Sequence, residues 1–584
     1  MRFEEKRFEN LFSNSSHYYV VPKYQRAYEW DTKEENKRSQ VKEFWEDINE
    51  FVKSESDFPL GNIIILKKGD EHEVVDGQQR LTTCLILIKS IIDRLEELGY
   101  EEIAKDLKKR YIVFQDKDYS RIKFRPQEYD RNFWDDFIVN GIDKNSETPS
   151  QKRIKEAKKF FDEKLKEKSF EEINKIREKI ENALFGVIEL TNKREATSIF
   201  ELQNDRGKAL TNLDKIKAFF MHQIYVCNGS EDDINYVYKE FEEIYKIINS
   251  SDFPDEDDVL LYHIQAHTDL GYNYRQIKEI KSIIKDKEPS KRVEYIKDFS
   301  RELNQSFKAI KSFLDDKQEI ACYLKDLEKF DFAFAYPFII KAYKFFNEDK
   351  EKLRKFLEYL EKIVFIHNVS STKADIRSRL NEFLVKFDKD INIDSFFYNI
   401  FKKLTEQPYW KENRVKSILE GHMYHDITKY ILKRYEICLR KQAKEGYPED
   451  LICRMDIYQG DENKRTGWWL EHIAPQTENT DEDSGYEKYD EEFKEKYLNS
   501  IGNLLLTSDT HNISLGNEKF SIKIESYKNS TMLHHREVAD FAEEGRWTKE
   551  SIKRRAEKII EFVLNEWGLE RNLERMKSLI EKKD

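Results

Sequence analysis

The stretch NIIILKKGDEHEVVDGQQRLTTCLILIKSIIDRLEEL, residues 62–98, decides how the first part of the chain is read. NIIIL and EHEVV are short β-prone runs, and the KKGD between them carries turn residues, so the pattern predicts a hairpin. After Arg80 the apolar residues fall at 81, 85, 88, 91, 92 and 95, which places them along one face of a helix. Asp76, Gly77, Gln78, Gln79 and Arg80 therefore form a polar elbow between a strand and a helix. Two readings of the elbow are open. One is a tight turn, with Gly77 for backbone freedom and Asp76 and Thr82 near the helix start. The other is an anion site. There the unpaired N–H groups and positive dipole end of the helix face a phosphate, Gly77 lets it approach, Gln78 and Gln79 donate, and Arg80 clamps it.

A chain of 584 residues is too long for one core, which predicts roughly two to four domains. Hydrophobic residues at 39% and charged residues at 37%, with 18 Gly and 10 Pro, suit a soluble, helix-rich protein. The 39 Phe and 31 Tyr exclude a disordered chain. A net charge of −12 supplies no chain-wide basic field, so any contact with nucleic acid has to come from local basic surfaces. Cys84, Cys227, Cys322, Cys438 and Cys453 are scattered and form no CxxC pair, which indicates neither a disulfide framework nor a cysteine zinc site and fits a reduced cytoplasmic compartment. MRFEEKRFENLF at the start lacks the apolar core of a signal peptide, and no apolar run approaches membrane-spanning length.

Composition shifts divide the chain into three. Residues 1–225 mix strand and helix signals: RYIVFQ and RIKFRP are β-like, and 151–184 read as Lys- and Glu-rich helix. Residues 226–445 are dense in helical pattern without a constant-period repeat. Residues 446–584 carry strand-like WWLEHIAP and IGNLLLTS, an acidic loop between them, and a basic helical tail. The fold class expected is multidomain, mainly α with α+β parts.

Two further motifs bear on the elbow. VPKYQRAYEW (21–30) places Arg26 among aromatic residues. IFELQNDRGKALTNLDKIKAFF (199–220) has a polar turn at Asn204, Arg206 and Gly207, then Thr211 and Asp214 in the spacing of a capping box. Read alone, the third motif is a capped helix. With VVDGQQRLTT, the three motifs in this order resemble the N-terminal domain of GmrSD-type type IV restriction enzymes, a relative of the ParB/sulfiredoxin fold. That resemblance spans about residues 15 to 220. It implies a bound nucleoside triphosphate (GTP, ATP or CTP), with NTPase activity, held by Arg26, Asp76, Gly77, Gln78, Gln79, Arg80, Asn204 and Arg206. Lys217 is a less certain neighbour, and Tyr24, Tyr28 and Trp30 are expected to pack.

At the other end, EHIAPQ (471–476), GNLLLTSDTHN (502–512) and FSIKIESY (520–527) follow one another. Phosphodiester hydrolysis needs an activated water, charge neutralisation on the phosphate and stabilisation of the leaving group, and a histidine with one divalent ion can supply these. The strand-loop-strand-helix pattern resembles the ββα-metal HNH nuclease fold, and more closely the C-terminal domain that accompanies the family above. The resemblance implies His472 as general base, Asn503 bracing its loop, Lys523 at the phosphate, and Glu471 with Asn512 holding Mg²⁺ or Mn²⁺. His511 is a neighbour and Asp509 a substitute ligand. Glu471 stands where many HNH enzymes carry Asp. Lys519, Lys523, Lys528, His534, His535, Arg536 and KRRAEK (553–558) are expected to form a backbone-binding surface.

The resemblance thus implies a nucleotide-controlled, metal-dependent DNA endonuclease of phage defence that recognises modified phage DNA and can work as a homodimer. Two alternatives stand beside it: a nucleotide-controlled DNA-binding protein with an inactive HNH domain, and an abortive-infection nuclease acting on RNA or host DNA.

Overall fold

The computed structural model describes residues 2–32, 39–116, 119–192, 195–196, 211–248, 253–268, 276–444, 468–508 and 516–580. The chain divides into two compact units: Met1–Leu261 with Tyr274–Lys308, and Tyr262–Asn273 with Ala309–Asp584. No helix among the described residues is long and apolar enough to cross a membrane.

The first unit is built on a mixed sheet of six strands. In chain order these are β1 (Arg2–Arg7), β2 (Tyr18–Val20), β3 (Pro59–Lys68), β4 (Glu71–Asp76), then, beyond the separate hairpin of β5 (Val113–Asp116) and β6 (Tyr119–Ile122), β7 (Phe124–Arg125) and β8 (Leu184–Leu190). The spatial order is β1-β8-β3-β4-β2-β7. β3 and β4 pair antiparallel as the KKGD turn predicts, with Lys68 opposite Glu71 and Gly69 at φ +60°. β3 runs parallel to β8, and β2 runs parallel to both β4 and β7. The predicted helix forms over Gln78–Glu97. It is buried on more than the one expected stripe, because Ile86 and Leu87 are covered as fully as Leu85 and Ile88. A helix apolar most of the way round sits inside a core, here between the sheet and the helix Pro149–Leu165. The 151–184 region is two helices, Pro149–Leu165 and Phe170–Glu181, the second opened by a Ser169–Glu172 capping box.

The second unit is mainly helical, with long helices such as Lys350–Val369, Asp426–Ala443 and Lys549–Trp567. Its only sheet among the described residues pairs β9 (Trp468–His472) antiparallel with β10 (Leu504–Ser508), setting His472 opposite Leu504 and Glu471 opposite Leu505. The helix Phe520–Lys528 follows, so the order strand, strand, helix holds. A cluster of Ile473, Phe493, Leu505, Phe520, Tyr527, Trp547 and Ile552 forms the core beneath it. Gly502 is fixed by close approach: a Cβ there would fall 2.0 Å from the Ile552 carbonyl oxygen. Arg555, fully buried, donates to the carbonyls of Gly502 (2.8 Å) and Leu504 (2.9 Å) and ties β10 to the same helix. Cys84, Cys227 and Cys438 are free thiols, whereas Cys322 is disulfide-bonded, which the scattered spacing gave no sign of.

Candidate functional site

The elbow turns as the first reading of it requires. Gly77 caps the helix in the left-handed region, at φ +86°. A Cβ on it would meet the Asn62 carbonyl oxygen at 3.1 Å and Ile63 Cα at 3.2 Å, so any other residue strains the backbone and presses on β3. The polar side chains around it are committed to main chain. Arg80 donates to the carbonyls of Leu60 (2.5 Å) and Asn62 (2.7 Å), with Asp76 only 4.0 Å away. Gln79 accepts from Glu29 N–H (2.8 Å) and donates to the Ala27 carbonyl (2.8 Å), while Gln78 donates to the carbonyls of Arg26 and Ala27 (both 3.3 Å). Both glutamines are buried. What the elbow keeps for an anion is the N–H groups of the first helical turn, which have no acceptor within the helix, beside a half-exposed Asp76.

The same hydrogen bonds bring the motifs together. Tyr28 bonds Thr83 (2.8 Å), and Gln25 donates to the Val75 carbonyl. Lys217, fully buried on the helix Asn212–Val226, donates to the Gln25 carbonyl at 2.9 Å and lies 5.0 Å from the centre of the Tyr245 ring. Burial pulls its ammonium down to about 8, against Asp214 and Asp130. Thr211 caps this helix by accepting from Asp214 N–H (3.2 Å). The Asp214 carboxylate accepts from the Tyr245 hydroxyl at 2.6 Å. Asn204 and Arg206 lie outside the described residues.

In the second unit, β9 ends on His472, which is 5% exposed. Burial, chiefly, lowers its imidazole to about 4, with the Asn499 hydrogen bond acting in the opposite direction. The ring is therefore neutral at neutral pH, the form a general base requires. Its Nε2 lies 3.0 Å from Asn499 Oδ1, and the Tyr424 ring, itself 41% exposed, sits 4.7 Å from it centre to centre. Neither Asn499 nor Tyr424 is among the residues the sequence singles out. The cluster GHMYHD at 421–426 is the one signal that could have drawn attention to Tyr424.

Asn503 is completely buried and uses all of its amide. Oδ1 accepts from Ala474 N–H (2.8 Å) and Trp547 Nε1–H (3.0 Å), and Nδ2 donates to the carbonyls of Ala474 (3.1 Å) and Leu498 (2.8 Å). These bonds fix the chain leaving β9 immediately after His472. Lys523 is also fully buried; it donates to Glu471 (2.7 Å) and to the His472 carbonyl (2.8 Å). Burial raises the Glu471 carboxyl and lowers the Lys523 ammonium, and each charge opposes the shift of the other. Lys523 thus sets Glu471 and the end of β9 rather than standing open to a phosphate. No group of three or more His, Cys, Asp and Glu among the described residues could hold a metal ion, and Asn512, Asp509 and His511 lie outside them.

Part of the expected basic surface turns inward. His534 and His535 are buried, and they hold the main chain of β10: Leu506 N–H donates to His534 Nε2 (3.2 Å) and His535 Nε2 meets the Leu506 carbonyl (3.0 Å). Burial would raise the Glu436 carboxyl, but hydrogen bonds from the His534 ring and from Leu533 and His534 N–H bring it down to about 2. Lys519 is paired with Asp483 (2.6 Å), and Arg555 is internal. Lys528, Arg536, Lys553, Arg554 and Lys558 remain exposed.

Comparison with protein families gives two matches, in the order of the two site regions. Residues 8–221 match the model of the GmrSD restriction endonuclease N-terminal domain, and residues 392–562 match that of the GmrSD restriction endonuclease C-terminal domain. No curated relative matches the chain. The first match takes in the elbow and all three motifs that meet at it, and the second takes in β9, β10 and the helix after them; by these two matches the chain belongs to the GmrSD restriction endonuclease family.

Proposed function

We propose that this family member cuts DNA through an HNH-type centre in its second unit, depends on a divalent metal ion, answers to a nucleoside triphosphate through a ParB/sulfiredoxin-like first unit, and acts on modified phage DNA. The observation that carries the reading is the placement of the His472 imidazole at the end of β9, next to a loop braced by Asn503 and to Glu471. His472 takes a proton from water; the water oxygen bonds to phosphorus; the P–O bond to the leaving sugar oxygen breaks, and its electron pair stays on that oxygen. Asn503 keeps the strand end in place, and Lys523 holds Glu471.

Carboxylate and amide oxygens suit Mg²⁺ or Mn²⁺, and Glu471 with Asn512 are the donors we assign. A metal bound there would offset charge on the phosphate and the leaving oxygen. For the nucleotide, the family match and the meeting of the motifs at Gln25–Trp30 support a site at the elbow. With Gln78, Gln79 and Arg80 bonded to main chain, we assign the phosphate to the first-turn N–H groups, with Arg26, Asn204 and Arg206 as the further contacts that the family resemblance implies.

The test is digestion of a panel of unmodified and base-modified phage genomes by the full chain, with and without Mg²⁺ or Mn²⁺ and each of ATP, GTP and CTP. The reading expects cleavage that needs the metal, prefers modified DNA and changes with one nucleotide. Cleavage of RNA or of unmodified host DNA alone would replace it with an abortive-infection nuclease.

A further inference from the structure

We propose that Asn499 is the positioning residue of His472: its amide oxygen selects the imidazole tautomer that carries hydrogen on Nε2 and leaves the lone pair on Nδ1. This rests on the reading of His472 as the base. A neutral imidazole has one N–H, and a carboxamide oxygen can only accept. Their 3.0 Å separation therefore puts the proton on Nε2. Among the described residues Nε2 is the ring nitrogen with a hydrogen bond, so Nδ1 is the atom left to receive a proton from water.

The local structure fixes Asn499 independently of its side chain. Residues Phe493–Tyr497 form a π-helical turn that closes with Leu498 N–H on the Phe493 carbonyl (2.9 Å). Met423 N–H donates to the Asn499 carbonyl (2.8 Å), and Asn503 donates to that of Leu498 (2.8 Å). The Met423 bond stitches the turn to the segment that carries Tyr424, whose ring lies against the imidazole. One short piece of chain thus holds the ring face and the next holds Nε2–H. Because the anchoring bonds of Asn499 are to its main chain, replacing its side chain leaves them in place.

The experiment uses the full chain labelled with ¹⁵N-histidine, with His472→Gln to assign the ring signals. Wild type is expected to show the Nε2–H tautomer of His472, and Asn499→Ala to show a mixture. On a cleaved DNA substrate, Asn499→Ala should lower kcat by roughly 10- to 100-fold, the usual cost of removing a group that orients an active-site ligand or base. KM should stay within about threefold. Asn499→Asp, whose carboxylate accepts the same N–H, should recover most of the rate. An Nδ1–H tautomer in wild type overturns the proposal, as does an unchanged kcat in Asn499→Ala. If no DNA is cut by any variant yet the tautomer signal still depends on Asn499, the positioning stands and the nuclease reading falls.

Discussion

The elbow at 76–80 and the strand end at 471–472 look alike in sequence, each a run of polar residues where a strand stops, and they use their polar atoms in opposite ways. At the elbow the side chains of Gln78, Gln79 and Arg80 all reach main-chain groups of Ala27, Glu29, Leu60 and Asn62. At the strand end the bracing is delegated to Asn503 and Lys523, and among the described residues the His472 ring makes one hydrogen bond, through Nε2. A polar motif residue is free for chemistry to the extent that other residues carry the structural hydrogen bonds around it. The first unit spends its signature residues on joining motifs; the second surrounds one residue with helpers.

The comparison can be broken by stability measurements. The largest effect is expected for Asn503→Ala, which leaves the buried Ala474 N–H and Trp547 Nε1–H without acceptors. At about 1–3 kcal/mol for each unsatisfied donor, denaturant unfolding of the second unit should show a loss of roughly 2–6 kcal/mol. Arg80→Ala should cost about 1.5–3 kcal/mol in the first unit, because two charge-assisted bonds to β3 are lost. If Arg80→Ala instead leaves stability unchanged and abolishes nucleotide binding by calorimetry, Arg80 is a phosphate clamp and the contrast with His472 disappears. Gly77→Ala should cost about 1–3 kcal/mol, from the φ of +86° and the pressure on Asn62 and Ile63.

A further effect is read against pH. His472 has a folded pKa near 4 against an ordinary value of 6.5. Above 6.5 the ring is neutral in both folded and unfolded chains, and its contribution to stability is fully present. Between 6.5 and 4 the unfolded chain takes up the proton first, so stability falls as pH falls, and below about 4 the loss is complete. His472→Gln should flatten that part of the stability–pH curve, which urea titrations at stepped pH would read. His72, also near 4, keeps its own share of the slope in the variant.

Much of the local fold was legible from the sequence. The KKGD hairpin, the helix after Arg80, the Thr211 cap and the β9 and β10 strands all follow from periodicity and turn chemistry. The sheet order was not, because β8 inserts between β1 and β3 only through pairings more than a hundred residues apart in sequence. Side-chain allegiance was the other gap. Lys523, His534, His535 and Arg555 read as a basic surface, yet each is buried on a carboxylate or a main-chain group. Charge is local in sequence and burial is not, so only the packed structure separates a binding cation from a bracing one. For the same reason Asn499 carried no signal: its partner, His472, lies 27 residues away.

The most direct test of the account assays His472→Ala and Arg80→Ala side by side, for cleavage of the same modified phage DNA and for thermal unfolding. The account predicts that His472→Ala stays folded and loses on the order of 10² to 10⁴ in cleavage rate. It predicts that Arg80→Ala unfolds at lower temperature and, while folded, cleaves with the same metal requirement. Full cleavage by His472→Ala, or an Arg80→Ala protein as stable as wild type, would contradict it.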